Sequence, residues 1–137
     1  MGRKIAREST MKIFYQMDLL EDYTQESIDK FVEEENLNQE EVLYLNDIIG
    51  HFTDNRERID EVISTYSQGW KIERISRIDL ATMRIALTEI LCREDIPIQV
   101  SINEALEICK KYSSEESSKF INGILGTFVR EQLGNEK

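Results

Sequence analysis

The chain has 137 residues, of which 40% are hydrophobic and 32% are charged, with a formal net charge of −10. This length provides a single domain, and the composition is too apolar for a disordered chain. One proline and six glycines leave little room for a turn-rich β-fold, so the composition favours helices. No apolar run reaches the roughly 18 residues of a membrane span, and no signal peptide is recognisable. We therefore expect a cytoplasmic protein that does not contact a membrane.

Charge is distributed unevenly along the chain. Residues 1–12 contain four basic residues and one acid, a net charge of +3, whereas residues 18–47 contain eleven acids and one base, a net charge of −10. A polyanion would be repelled by the second segment and attracted to the first. Charge alone leaves two interpretations of the N-terminus, an RNA-binding helix or a few solvated basic residues.

The first half of the chain carries three helical patterns. Residues 3–20 repeat apolar positions at helical spacing, and residues 25–35 form a weaker, acidic helix. Asn38 and Glu41 have the spacing of a capping pair and predict the start of a third helix, which reaches Phe52.

Two further helices follow. A short helix is predicted near 55–66 and ends at Gly69. The strongest pattern covers 76–93, where the apolar stripe is wide enough for a buried helix. Pro97 terminates this region, because the residue before a proline is disfavoured in helical geometry.

Two capping boxes predict the remaining helices. Ser101 with Glu104 would open a helix that ends near Tyr112, and Ser113 with Glu116 would open the last helix. No alternating strand pattern occurs. The sequence therefore predicts an all-α fold, a compact bundle of six to seven helices in one domain over residues 1–137. A break near Gly69 would divide it into two three-helix sub-bundles, about 1–68 and 69–137.

The sequence offers little for catalysis. His51 is the only histidine, and its place beside an apolar helix favours a structural role. Cys92 and Cys109 lie among apolar residues and have no metal-ligand or disulfide spacing. No glycine-rich phosphate loop is present. We expect no enzyme activity, no cofactor and no metal.

RNA binding requires cations for phosphates and flat side chains for bases. Both ends of the chain supply such residues. The candidate RNA-binding residues are Arg3, Lys4, Arg7, Tyr15, Lys119 and Phe120. For Phe120, the apolar residues around it favour burial in the core, so its exposure is left open.

Four blocks of the sequence resemble the NusB family. They are RKIARE at 3–8, FYQ at 14–16, MRIALTE at 83–89, and the whole of 95–125 with its KFING helix. The last two blocks are the more specific, and together the blocks span nearly the whole chain.

The resemblance implies a helical RNA-binding antitermination factor of two three-helix bundles plus a connecting helix. Such a protein would bind the boxA element of ribosomal RNA transcripts jointly with NusE, a ribosomal protein, and act indirectly on RNA polymerase with other Nus factors. Its basic first helix would hold RNA. The resemblance implies that the start of the last helix, at Glu116, Lys119 and Phe120, lies at the junction of RNA and NusE, and that Arg84 and Glu89 partly face NusE.

Other interpretations stay open at this point. The chain could be a non-catalytic adaptor that binds proteins, with RNA binding incidental. A second alternative is the NusB-like domain that precedes the catalytic part of some ribosomal RNA cytosine methyltransferases. No nucleotide-binding fold follows here, so we do not expect a free-standing methyltransferase. A homodimer is compatible with the sequence.

Overall fold

The computed structural model describes residues 2–134, so residue 1 and residues 135–137 of the expected domain lie outside the described part. Within that part the fold is all-α with no strand, as predicted. The helices are α1 (Gly2–Leu20), α2 (Gln25–Glu34), α3 (Gln39–Tyr66), α4 (Arg77–Cys92), α5 (Ile98–Tyr112) and α6 (Glu115–Phe128). A 3-10 turn, Ile72–Arg74, precedes α4, and a π-helical segment, Val129–Leu133, extends α6.

Side-chain caps fix several helix starts. The capping box predicted for α3 is confirmed: Asn38 Oδ1 accepts a hydrogen bond from Glu41 N, and Glu41 Oε1 accepts one from Asn38 N, both at 2.9 Å. Ser76 caps α4 by accepting from Asp79 N at 3.2 Å. Each cap satisfies an amide that has no partner within the helix.

The expected separation between the helical segment to Phe52 and the segment 55–66 is confirmed: two helical segments meet at a kink, where Asn55 departs from helical geometry, and together they make up α3. Two expectations about helix starts are wrong. The last helix is capped by Ser114, which accepts from Ser117 N at 3.0 Å, and not by Ser113. Ser101 lies one turn inside α5 and does not cap it, since that helix begins directly after Pro97.

The centre of the fold is α4. Every residue from Asp79 to Ile90 is buried, because α4 packs against α1, α3, α5 and α6. The apolar residues Met83 and Leu87 are fully buried. A helix covered on every side leaves its charged residues without water, so they need partners inside the protein.

The remaining helices form two groups around α4. α1 and α3 pack on each other and on α4, while α5 packs on α4 and α6. Ile28 and Phe31 attach α2 to the same continuous core. Between the groups, Gly69 has a φ of 89°, a left-handed conformation that favours glycine. The turn there allows the chain to pass from α3 into α4.

No helix among residues 2–134 is long and apolar enough to cross a membrane. In the same range, no group of three His, Cys, Asp or Glu side chains is placed to hold a metal ion. His51 is half-buried, and its Nε2 lies 3.3 Å from Asp47 Oδ1.

Neither cysteine forms a disulfide, and their environments differ. Cys109 is fully buried, and burial together with the neighbouring Asp79 carboxylate raises the pKa of its thiol to about 12. Because the thiolate is the reactive form, we expect a thiol reagent near pH 8 to modify Cys92 in the folded protein and Cys109 only in urea. Peptide mass spectrometry measures this difference, and equal labelling of Cys109 without urea would contradict it.

Candidate nucleic-acid interface

The basic residues of α1 lie on two adjacent sides of the helix. At about 3.6 residues per turn, Lys4, Lys12 and Tyr15 fall within an arc of roughly 80°, while Arg3 and Arg7 lie on the adjacent arc. Lys4, Lys12 and Tyr15 are exposed, and we call these three residues the lysine face. The single basic group expected from Arg3, Lys4 and Arg7 is therefore divided.

Arg7 lies inside the protein, and the expectation that it holds RNA phosphate needs correction. The residue is only 6% exposed. Its Nε donates to Glu89 Oε2 at 2.7 Å, and its Nη2 donates to Glu89 Oε1 at 3.3 Å. Burial by itself would lower the pKa of Arg7, but the hydrogen bond and charge of Glu89 outweigh it, so the pKa lies above its ordinary value. Arg7 thus joins α1 to α4.

Glu89 is also buried, at 1% exposure, so it does not present a surface to NusE as expected. Besides Arg7, it accepts hydrogen bonds from the Tyr44 hydroxyl and from Ser101 Oγ, the latter at 2.8 Å. Burial and the Glu89 charge both raise the pKa of Tyr44, so its hydroxyl stays protonated as a donor. One carboxylate therefore connects α1, α3, α4 and α5.

Arg84 has a comparable structural role, and its expected direct contact with a partner needs the same correction. It is 4% exposed. Its Nε and Nη2 donate to the two Asp60 carboxylate oxygens at 3.0 and 2.9 Å, and its Nη1 lies 3.4 Å from Asp18 Oδ1. The guanidinium also lies over the Phe52 ring, 5.3 Å from its centroid. Arg84 joins α4 to α1 and α3.

Arg3 remains exposed, at the mouth of a cleft between α1 and α3. Its guanidinium lies 5.2 Å from the centroid of the Tyr44 ring, which orients it by a cation–π contact. Arg93 lines the same cleft and donates to Asp47 and Asp95. Hydrogen bonds from Arg93 lower the pKa of Asp95 to about 2. Arg3 is thus available to a phosphate from the side of α1 next to the lysine face.

The lysine face meets the end of α5, a contact that sequence reasoning missed. Lys12 Nζ lies 5.7 Å, and Lys111 Nζ 5.2 Å, from the centroid of the Tyr112 ring. Glu8 accepts hydrogen bonds from Lys111 Nζ at 3.0 Å and from the Tyr112 hydroxyl at 2.8 Å. The sequence shows the two lysines at the end of α5, Lys110 and Lys111, but it does not show that this end of α5 contacts α1.

The second candidate region lies at the start of α6. Lys119 and Glu116 are exposed, and Phe120 is half-buried. The Phe120 ring packs edge-on against Trp70, with centroids 6.3 Å apart, and Trp70 is 56% exposed. The Phe120 side chain is therefore neither fully buried in the core nor free of contacts with other side chains. Trp70 and Phe120 line a shallow pocket whose charged lining residues are one cation, Arg74, and two acids, Asp79 and Glu116. Lys119 is not among the residues that line this pocket.

These features define a class of small all-α protein in which a basic first helix packs on a central helix buried on every side. The sequence profile of the NusB family matches residues 4–130. The chain belongs to the NusB family, as its sequence blocks had indicated.

Individual relatives agree along nearly the whole chain. The transcription antitermination protein NusB of Acetivibrio thermocellus is 45% identical over 140 residues, which cover 99% of this chain and 97% of the relative. NusB of T. maritima has the same fold with a TM-score of 0.83 and 33% identity, covering 94% of this chain and 91% of that chain. A chain in the crystal structure of the antitermination factors NusB and NusE with double-stranded RNA has a TM-score of 0.85 at 24% identity, covering 94% and 96% of the two chains. This last likeness is one of fold.

Proposed function

We propose that this protein binds the boxA element of ribosomal RNA transcripts together with NusE, and so contributes to an antitermination complex on RNA polymerase. Membership of the NusB family supports the proposal. The observation that carries it is the lysine face, because Lys4, Lys12 and Tyr15 expose cationic and aromatic groups on one side of α1. They do so on a chain of net charge −10.

The mechanism is assembly without a bond-making step. Arg3 and Lys4 would neutralise backbone phosphates, and Lys119 would do so at the start of α6. Tyr15 or Phe120 would stack on an unpaired base, which contributes about 1–3 kcal/mol where it occurs. Phe120 already packs on Trp70, so a base would approach its exposed edge or the Trp70 ring.

The partner contacts are proposed on a narrower set of residues. Glu116 is exposed and stays in the proposed junction with NusE. Arg84 and Glu89 are buried, so they would act by fixing the helices that carry the surface. The acidic segment 18–47 would repel RNA or receive a basic protein. Other Nus factors and a second copy of this chain are further proposed partners.

Salt dependence tests the phosphate contacts. With two to four contacts on single-stranded RNA, we expect log K to fall against log salt with a slope of roughly −1.5 to −3, at about −0.7 per contact. The measurement is fluorescence anisotropy of a labelled boxA-type RNA over a range of KCl concentrations. An affinity that does not change with salt would remove phosphate binding from the proposal.

A further inference from the structure

Three charged side chains and one tyrosine meet where α1 contacts the end of α5. Lys12 and Lys111 lie within 6 Å of one ring, that of Tyr112. Glu8 is one helical turn before Lys12, and its two carboxylate oxygens lie 3.0 and 3.3 Å from Lys111 Nζ. Two ammonium groups and one carboxylate thus share a small surface.

The members of this cluster differ in how firmly they are held. The Glu8 side chain is 17% exposed, whereas that of Lys111 is 60% exposed. Tyr112 is half-buried, and its hydroxyl donates to the same Glu8 carboxylate at 2.8 Å. Glu8 is therefore fixed from two sides, while the Lys111 ammonium is free to turn towards solvent.

Glu8 is ionised in this setting. Partial burial alone would raise the pKa of Glu8, but hydrogen bonds from Lys111 and Tyr112 outweigh it and hold the pKa below its ordinary value. The same contact raises the pKa of Lys111. In the free protein the Glu8 carboxylate is therefore the anion that pairs with Lys111, and the charge of Lys12 also lowers the pKa of Glu8.

We propose that Lys12 and Lys111 form a binding site for one backbone phosphate of single-stranded RNA, and that Glu8 competes with this phosphate for Lys111. The inference rests on the proposed RNA binding, and it names a site on α5 beyond the predicted RNA-binding residues. A phosphate oxygen is the same kind of acceptor as the Glu8 carboxylate, and two ammonium groups suit it better than one. RNA binding exchanges the Glu8–Lys111 ion pair for a phosphate contact.

Two single variants test the site. Lys111→Gln is expected to weaken RNA binding roughly two- to fivefold, in line with an exposed charge contact. It should also reduce the salt slope by about 0.7. Glu8→Gln is expected to strengthen RNA binding by a similar factor, because it releases Lys111. Lys110→Gln and Glu107→Gln are matched controls, since this neighbouring pair is also exposed, with 3.6 Å between Lys110 Nζ and Glu107 Oε2.

The double variant separates competition from simple repulsion. If Glu8 competes for Lys111, the gain from Glu8→Gln falls to less than half in the Lys111→Gln background. An equal gain in both backgrounds would overturn the competition. Effects no larger than those of the Lys110 and Glu107 controls would overturn the site. If the unchanged protein binds no RNA at any salt concentration, the proposed function itself fails.

Discussion

Replacing Glu89 with glutamine is expected to lower the free energy of unfolding by about 3–5 kcal/mol. The substitution keeps the shape of the side chain but leaves the Arg7 guanidinium charged and buried without its carboxylate. The same carboxylate accepts from Tyr44 and Ser101, so contacts to α3 and α5 weaken at the same time. Urea unfolding followed by circular dichroism measures the change.

Glu104→Gln is the control for this prediction. Glu104 is 26% exposed and lies 3.8 Å from Arg7 Nη1, so its loss should cost less than about 1 kcal/mol. Replacing both charges, as Arg7→Met with Glu89→Leu, should cost less than Glu89→Gln alone, because no buried charge is left unpaired. A loss below about 1 kcal/mol for Glu89→Gln would show that the network does not hold the helices together.

Reversing the charge of Lys4 is expected to weaken binding of a boxA-type RNA about tenfold or more. An exposed charge contact contributes up to about 1 kcal/mol. The new glutamate adds like-charge repulsion of similar size, and about 1.4 kcal/mol corresponds to a tenfold change in affinity. Lys4 is exposed, so Lys4→Glu tests RNA binding with the fold intact. Arg7→Glu is unsuitable for this purpose, since it would break the buried pair with Glu89. Anisotropy titration at low salt measures the loss.

Lys30→Glu is the matched control for this experiment. Lys30 is exposed on α2 within the acidic segment 18–47, and its reversal changes the net charge by the same amount. If both variants lose affinity equally, the effect is one of overall charge and not of the lysine face. If Lys4→Glu keeps full RNA affinity, the proposal fails. Loss of RNA binding with unchanged function in cells would favour the protein-only adaptor.

Local patterns predicted the parts of the fold that depend on neighbouring residues. The capping box formed by Asn38 and Glu41 is complete within four residues. Apolar periodicity predicted a helix over 76–93, and α4 covers Arg77–Cys92, one residue shorter at each end. Ser101 shows the limit of such patterns. It has the spacing of a cap with Glu104, but Pro97 starts the helix one turn earlier, and Ser101 Oγ donates to Glu89 in α4 instead.

The site was less predictable, because its residues come from distant parts of the chain. Arg7 and Glu89 are 82 residues apart, and nothing local distinguishes Arg7 from the exposed Lys4. Glu8 and Lys111 are separated by 103 residues, so the meeting of α1 with α5 had no sequence signal. Charged residues on a helix buried on every side, such as Arg84, signal internal ion pairs, and this inference requires knowing how the helices pack.

We propose that this chain loads onto boxA-type RNA jointly with NusE. The most direct test is binding of labelled boxA-type RNA to the purified chain, with and without purified NusE, at two salt concentrations. We predict binding that weakens at the higher salt and strengthens when NusE is present. Absence of binding in every combination, or binding unaffected by both salt and NusE, would contradict the proposed function.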